Sequence, residues 1–526
     1  MTTHHESAGD APTYVDRLLE IFRTFGEREA IVCGDARLSY RQAHDMVLQL
    51  AQALRSGGLG MGDAVAVVAG NRAETLLTHL AVHLIGGRLV FTPPELSQAE
   101  QVAYLSRAET SAYVFDPADH DATRIAALAG LRLRYSLGPA GTGTDLLELA
   151  GRMPASLPSE HATIGDISTL FYTGGSTGRP KMVLHHHPYY DSLIYAGGQR
   201  KAEIPEPHRF LVCTPVSHTG GHVFFLMTLL AEGTVILLED FDAAEVIAKI
   251  QRERVTSVYL VPPMLYDVLD HPSFPANGFP SLARVHYSGA PINPVRLQEA
   301  IHRLGPVMRQ TYAMTEVPGI TVMEPGEHDE SIPGRLSACG RPLAPLVEVS
   351  VRDESGAVPP GQVGEVCVRG SLVMAEYWKD PGATAAALRD GWMHTGDVGR
   401  FDDDGFLHLV DRLRDIIITG RAEAGIYATN VYSKLLEDAA TRQPGVRAAA
   451  AVGLPDPRYG ESVHLACAVE AGSSVDIPEL RKRVVDELGP VYEPRSVLLV
   501  EALPRTAMGK IDKKALRRML SQASDG

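Results

Sequence analysis

From about residue 15 to residue 290 the chain repeats one pattern. A short, wholly apolar run is followed by a longer stretch with apolar residues at helical spacing. VAVVAG (65–70) leads into the helical pattern NRAETLLTHLAVHLIGG, which ends at the strand-like RLVFTP, with AYVF (112–115) beyond it. DISTLFYT (166–173), FLVCTP (210–215), TVILLED (234–240), SVYLVPP (257–263) and RVHYSG (284–289) continue the series, with helical patterns between several of them. This helix–strand alternation implies parallel sheet with helical crossovers. The first two helices are expected at VDRLLEIFRTFG (15–26) and RQAHDMVLQLAQALRSG (41–57), the second capped by Gly58. At 526 residues the chain exceeds one ordinary core, so at least two domains are expected.

The pattern changes twice. Residues 130–165 are rich in Gly, Pro, Ser and Thr and read as surface loop. After about residue 340, short strands joined by D-x-x-G turns, as in GRFDDDGFLHLVDRLRDIIITG, read as antiparallel ribbon. The last hundred residues regain mixed character: AAAAVGLPD, HLACAVE, the helix PELRKRVVDELG and SVLLVEALP. They predict a compact α+β unit, with a boundary near residue 412. The formal net charge of -15 argues against nucleic-acid or anionic-membrane binding. Cys33, Cys213, Cys339, Cys367 and Cys467 are far apart and read as buried small hydrophobes, not as a disulfide or zinc framework. MTTHHESAGDAPTY lacks an apolar signal segment, and HVFFLMTLLAEGTVILLED is too interrupted to span a bilayer. A soluble, cytoplasmic protein is expected.

Residues able to carry chemistry follow the ends of these strands. YTGGSTGRPK (172–181) combines glycines, which let backbone amides approach an anion, with hydroxyls from Thr173, Ser176 and Thr177 and the charge of Lys181. It lacks the order of a P-loop, so a phosphate cradle and a plain Gly-rich loop both remain open. His185, His186 and His187 are adjacent, and adjacent side chains do not converge on a metal, so strand-end or surface positions are expected. His218 lies in PVSHTGG between a strand end and two glycines, and Gly289 lies in YSGAP. In QTYAMTE, Tyr312 could stack on a base, Thr315 bond a phosphate oxygen and Glu316 hold Mg2+. Asp397, in the Gly turn of HTGDVGRFDDDG, suits a ribose diol, whereas Asp402 to Asp404 read as a solvated hairpin turn. Four polar loops after strands point toward one crevice.

Together these stretches resemble the adenylate-forming superfamily, which includes acyl-CoA synthetases, aryl-acid ligases, peptide-synthetase adenylation domains and luciferases. YTGGSTGRPK, YAMTE, HTGDVGRFDDDG, DRLRDIIITG and PRTAMGKID match its signatures in order, over about residues 15–516. The resemblance implies a large, multi-sheet α/β adenylation domain, residues 1–412, and a small mobile α+β domain, residues 413–526. It implies ATP, Mg2+, a small carboxylic acid, and CoA or a separate phosphopantetheine carrier protein as partners. Thr173, Gly174, Gly175, Ser176, Thr177, Gly178 and Lys181 correspond to the loop over the ATP phosphates. Gly289, Ala290, Pro291 and Tyr312 correspond to the adenine pocket, and Asp397 and Arg412 to the ribose contacts. Thr315 and Glu316 correspond to the phosphate and magnesium contacts, His218 to a histidine near the reacting carboxylate, and Lys510 to the adenylating lysine.

Two departures stand out against that family. Arg414 holds the hinge position where many thioester-forming relatives have lysine. TGRAEAGIYATNVYSKLLE (419–437) has a longer link than usual, with Ala428, Asn430 and Tyr432 in place of a proline and two acids. An acceptor other than a thiol, such as an amine, and a non-catalytic scaffold are the alternative readings. VCTPVSHTGGHVFF offers no acid for an α-ammonium group, so an amino-free carboxylic acid is the expected substrate.

Overall fold

The computed structural model of the protein describes residues 12–93, 96–128, 130–131, 133–173, 180–203, 206–413, 415–421, 426–456, 460–470, 472–505 and 511–524. The first helix, Tyr14–Thr24, starts where the expected amphipathic pattern starts. Thr13 and Asp16 close a capping box at its N-terminus. Its buried face, including Val15, Leu18 and Phe22, packs into the main core. The second helix, Tyr40–Ser56, is capped the same way by Ser39 and Gln42.

Two large sheets carry the parallel strands. In one, Ala64–Val68 lies between Arg88–Val90 and Thr110–Phe115, parallel to both, and Arg88–Val90 is parallel to Ser168–Thr173. The helix Ala73–Leu84 forms the crossover between the first two of these strands in sequence. In the other, Glu29–Cys33, Thr234–Leu237, Arg209–Val212, Ser257–Leu260, Arg284–Tyr287 and Met308–Met314 run parallel in that spatial order. Every residue of Thr234–Leu237 and of Ser257–Leu260 is buried, as strands covered on both faces require. A third sheet is antiparallel, pairing Val347–Asp353 with Gly364–Gly370, then Trp392–Phe401, then Leu407–Arg412. The change of pattern after residue 340 is therefore a change from parallel to antiparallel sheet.

The small C-terminal domain pairs Ile417–Arg421 with Ile426–Val431, and packs helices on Val446–Asp456, Gly460–Val469 and Ser496–Val500. One of its apolar clusters holds Leu436, Leu465 and Leu480, and the other Ala450, Leu516 and Leu520. Among the described residues, no apolar cluster joins a residue up to Leu407 with one from Ile417 onward. The architecture is a large α/β domain followed by a distinct α+β one. No helix among the described residues is long and apolar enough to cross a membrane.

Three expectations need correction. Residues 130–165 are not simply loop. Leu133–Ser136 and Thr144–Asp145 extend the first sheet in parallel, and Leu146–Gly151 is helical. These edge elements bury few residues and leave little apolar signal. Tyr312 is not on a loop after a strand but inside Met308–Met314. Asp397 likewise belongs to the strand Trp392–Phe401, although Gly396 before it has φ of +72°.

Candidate nucleotide and acid site

The glycine-rich segment joins two antiparallel strands, Ser168–Thr173 and Lys181–His186, with Thr173 paired directly to Lys181. Gly174, Gly175, Ser176, Thr177 and Gly178 lie outside the described residues. Lys181 Nζ sits 4.1 Å from the ring centroid of Tyr377, a cation–π contact. Tyr377 pairs with this hairpin through the short strand Glu376–Tyr377. Its hydroxyl donates to Glu316 Oε1 at 2.7 Å. Burial, then the Glu316 charge, push the Tyr377 phenol above its ordinary value, so it stays protonated as a donor.

Glu316 is 5% exposed and, with Thr315, forms the turn between Met308–Met314 and Val317–Met323. Among the described residues, Tyr377 is its only side-chain hydrogen-bond partner, and that bond uses Oε1 alone. A buried carboxylate with its second oxygen uncommitted fits a hard, oxygen-seeking cation such as Mg2+. The Thr315 carbonyl accepts from His185 Nε2 at 2.8 Å. His185 is fully buried, and that burial pushes its pKa down to about 4, so the ring is neutral at physiological pH. The histidine run thus ends one strand, as expected, and also starts a helix, and its first member supports the Glu316 turn.

Earlier on Met308–Met314, Tyr312 Oη donates to Asp397 Oδ2 at 2.5 Å. Asp397 is paired across the antiparallel sheet with Arg412, whose Nε lies 3.0 Å from Asp397 Oδ1. Burial, then the Asp397 charge, raise the Tyr312 phenol well above its ordinary value. Gly289, Ala290 and Pro291 follow the C-terminal end of Arg284–Tyr287, the parallel neighbour of the Tyr312 strand. Gly289 has φ of +84°, a conformation that a side chain would strain.

His218 is the N-cap of the helix Thr219–Leu230, and its ring meets Tyr172 edge-on at 5.8 Å between centroids. Tyr172 precedes Thr173, so His218 stands beside the glycine-rich hairpin. Gly220 lets the helix close on Tyr259, since a Cβ there would lie 2.8 Å from the ring. Phe224, one turn on, stacks on Phe210 at 5.1 Å.

Lys181, Tyr377 and Glu316 thus form one linked group and Tyr312, Asp397 and Arg412 another, joined through the strand Met308–Met314 and the turn after it. Thr173, Gly289 to Pro291 and His218 stand at or beyond the carboxyl ends of parallel strands, where open α/β sheets hold ligands. Lys510 and Arg414 lie outside the described residues. The segment bearing Lys510 is bounded by an antiparallel bridge from Arg505 to Ile511. Just beyond it, Lys513 Nζ donates to Ser433 Oγ at 2.6 Å and lies 3.2 Å from Glu437. Ser433 Oγ in turn donates to Asp411, the neighbour of Arg412, at 3.1 Å. Sequence reasoning missed Tyr377 and His185, whose importance lies only in their contacts.

The AMP-binding enzyme profile matches residues 20–378, and the profile of the AMP-binding enzyme C-terminal domain matches residues 435–510. The chain is 36% identical to the medium/long-chain-fatty-acid–CoA ligase FadD8 of Mycobacterium tuberculosis, over 96% of this chain and 90% of that protein. It is 35% identical to a feruloyl-CoA synthase of Amycolatopsis, over 93% of this chain and 95% of that one. Among solved structures, the amide bond synthetase McbA of Marinactinospora thermotolerans superposes with a TM-score of 0.85 and 37% identity, covering 96% of this chain and 99% of that chain. On its matched profiles and its relatives alike, the chain belongs to the family of AMP-binding enzymes.

Proposed function

We propose that the protein uses ATP to activate a carboxylic acid without an α-amino group as acyl-AMP, releases pyrophosphate, and passes the acyl group to the thiol of CoA. The reaction class is that of an AMP-forming acid–thiol ligase. In this reading the Gly289 to Pro291 turn and the Tyr312 ring hold adenine. The Asp397 carboxylate and Arg412 hold the ribose hydroxyls, and Lys181, Thr315 and the glycine-rich segment hold the phosphates. Glu316 holds Mg2+, which offsets phosphate charge when bound with ATP. His218 borders the acid's carboxylate, and Phe224 and its aromatic neighbours line the apolar end of the pocket.

A carboxylate approaching an α-phosphate meets like charge, so positive groups must be strongest where charge redistributes. Lys510 supplies that charge from the small domain, whose junction with the large one falls between Arg412 and Leu413. The small domain then turns to admit the thiol. The protein works in the cytoplasm, where ATP and CoA are available.

The observation that carries this reading is the pair of linked constellations, Lys181–Tyr377–Glu316 and Tyr312–Asp397–Arg412, drawn from three sheets and joined through the strand Met308–Met314 and its turn. Its test is pyrophosphate release across a panel of fatty, aryl and amino acids, followed by mass spectrometry with and without CoA. Acyl-CoA formed from an amino-free acid is the expected product. Preference for a free amino acid, or no AMP formed with any acid, overturns the reading.

One observation favours a second acceptor. The 419–437 link departs from the usual thioester-forming pattern, and a protein alike over nearly its whole length is an amide bond synthetase. In that reading an amine captures the acyl-AMP. Amines added in competition with CoA decide between the two, because an amide formed faster than the thioester selects the amine.

A further inference from the structure

We propose that Glu365, Cys367 and His394 form a binding site for a borderline-soft divalent cation such as Zn2+, between the strand Gly364–Gly370 and the strand that carries Asp397. Glu365 and Cys367 are two apart on Gly364–Gly370, so their side chains share a face of the sheet. His394 is the direct cross-strand partner of Cys367 on Trp392–Phe401. The three ligand atoms all lie within 4.8 Å of one another. Cys367 Sγ is 3.5 Å from His394 Nδ1, and Glu365 Oε2 is 2.7 Å from the same nitrogen. A tetrahedral zinc with ordinary Zn–S and Zn–N bonds holds its sulfur and nitrogen about 3.5 Å apart. The observed S···N separation already has that value, whereas the 2.7 Å between Glu365 Oε2 and Nδ1 must open to about 3.3 Å for the oxygen to join as a ligand.

The hydrogen bonding of the cluster conflicts with itself. Arg389 Nη2 lies 3.0 Å from His394 Nδ1, on the same atom that meets Glu365. With a proton, Nδ1 and Arg389 Nη2 both donate to Glu365 Oε2, at 2.7 and 3.4 Å, but the two donors crowd each other at 3.0 Å. Without one, it accepts from Arg389 but turns its lone pair on the carboxylate. A cation at the point where sulfur, nitrogen and oxygen lone pairs converge removes the conflict. Arg389 is half-exposed and can turn to water, leaving a fourth position for a water ligand. As the metal–sulfur bond forms, the Cys367 thiol proton leaves to solvent. The thiolate–imidazole pair selects Zn2+ over Mg2+, so the site is chemically distinct from the Glu316 oxygen donor. Glu365 Oε1 also accepts from the Gly396 amide at 3.1 Å. The cation would thus be tied to the turn before Asp397.

Co2+ is the probe, because thiolate ligation gives a near-ultraviolet charge-transfer band and four-coordination gives intense visible bands. Titration of the full chain with Co2+ is expected to saturate at one equivalent, with displacement by Zn2+ and none by excess Mg2+. Cys367→Ser should abolish the charge-transfer band, and Cys33→Ser should retain it. Arg389→Ala, which removes a competing cation, should tighten Co2+ binding roughly tenfold, an effect that a merely structural cluster would not give. Should Cys367→Ser fail to fold, loss of the visible bands in His394→Gln serves in its place. No band in the wild-type chain, or a band that survives Cys367→Ser, overturns the proposal.

Discussion

Tyr377 joins Lys181 and Glu316, which are far apart in the sequence. Its ring lies under the Lys181 ammonium, and its hydroxyl holds one oxygen of Glu316. Tyr377→Phe keeps the ring and deletes the hydrogen bond. A bond to a charged group is worth about 1.5–3 kcal/mol, so acyl-AMP formation is expected to fall by roughly 10- to 100-fold. The Mg2+ concentration for half-activation should rise with it. An unchanged Mg2+ dependence would reduce Tyr377 to packing. Lys510→Ala is expected to slow acyl-AMP formation by about 10²-fold or more, as for loss of a preorganised electrostatic contact. Thioester formation from supplied acyl-AMP should survive, and equal losses in both single-turnover assays would reject its assignment to the first step. Glu316 and Asp397 stand out in the sequence through the YAMTE and HTGDVGRFDDDG motifs of the family that the chain resembles. A tyrosine in AEYWKD does not, since its role depends on a strand pairing formed about 60 residues from Glu316.

At the scale of elements, the site is built from hairpins set against parallel strands. The turn at Thr315 and Glu316 has its carbonyl fixed by His185 from a different sheet. His185→Leu removes the donor and leaves that buried carbonyl unpaired, at a cost of about 1–3 kcal/mol. Its expected signature is a lower unfolding midpoint together with weaker Mg2+ activation, because the turn carries Glu316. A midpoint shift with normal Mg2+ dependence would confine His185 to stability. The central strands were readable because burial on both faces makes them continuously apolar, as in Ala64–Val67. Leu133–Ser136 was not, since only two of its residues are buried at the sheet edge. QTYAMTE is polar and so reads as a loop around Tyr312. It forms a strand nonetheless, because Val317–Met323 pairs back along it.

At the scale of the molecule, acid should act on the large domain first. His79, His83, His185 and His222 are fully buried in it, among Phe91, Phe171 and Tyr190. Burial pushes His79 and His83 down to about 3 and His185 to about 4, and holds His222 well below the ordinary value. These bases stay neutral in the folded state and take up protons on unfolding. Their contribution to stability is therefore complete above the unfolded pKa of about 6.5, and falls as pH drops toward the folded values. Each histidine removes about 1.4 kcal/mol per pH unit once the pH is well below 6.5. Four together remove on the order of 8 kcal/mol by pH 5, comparable with the whole stability of a domain. The small domain holds a single buried histidine among its described residues, His464, and both of its ring nitrogens meet serine hydroxyls. Calorimetry between pH 7.5 and 5 is expected to show the large-domain transition moving steeply down, with an uptake approaching four protons from this cluster, while the small-domain transition moves much less. His79 is the cleanest test, since neither ring nitrogen has a hydrogen-bond partner among the described residues. His79→Leu keeps an apolar side chain of similar size against Phe91, so stability at pH 7.5 should hold, and the proton uptake on unfolding at pH 5 should fall by about one. An uptake unchanged by that substitution would show that His79 is not held neutral by burial.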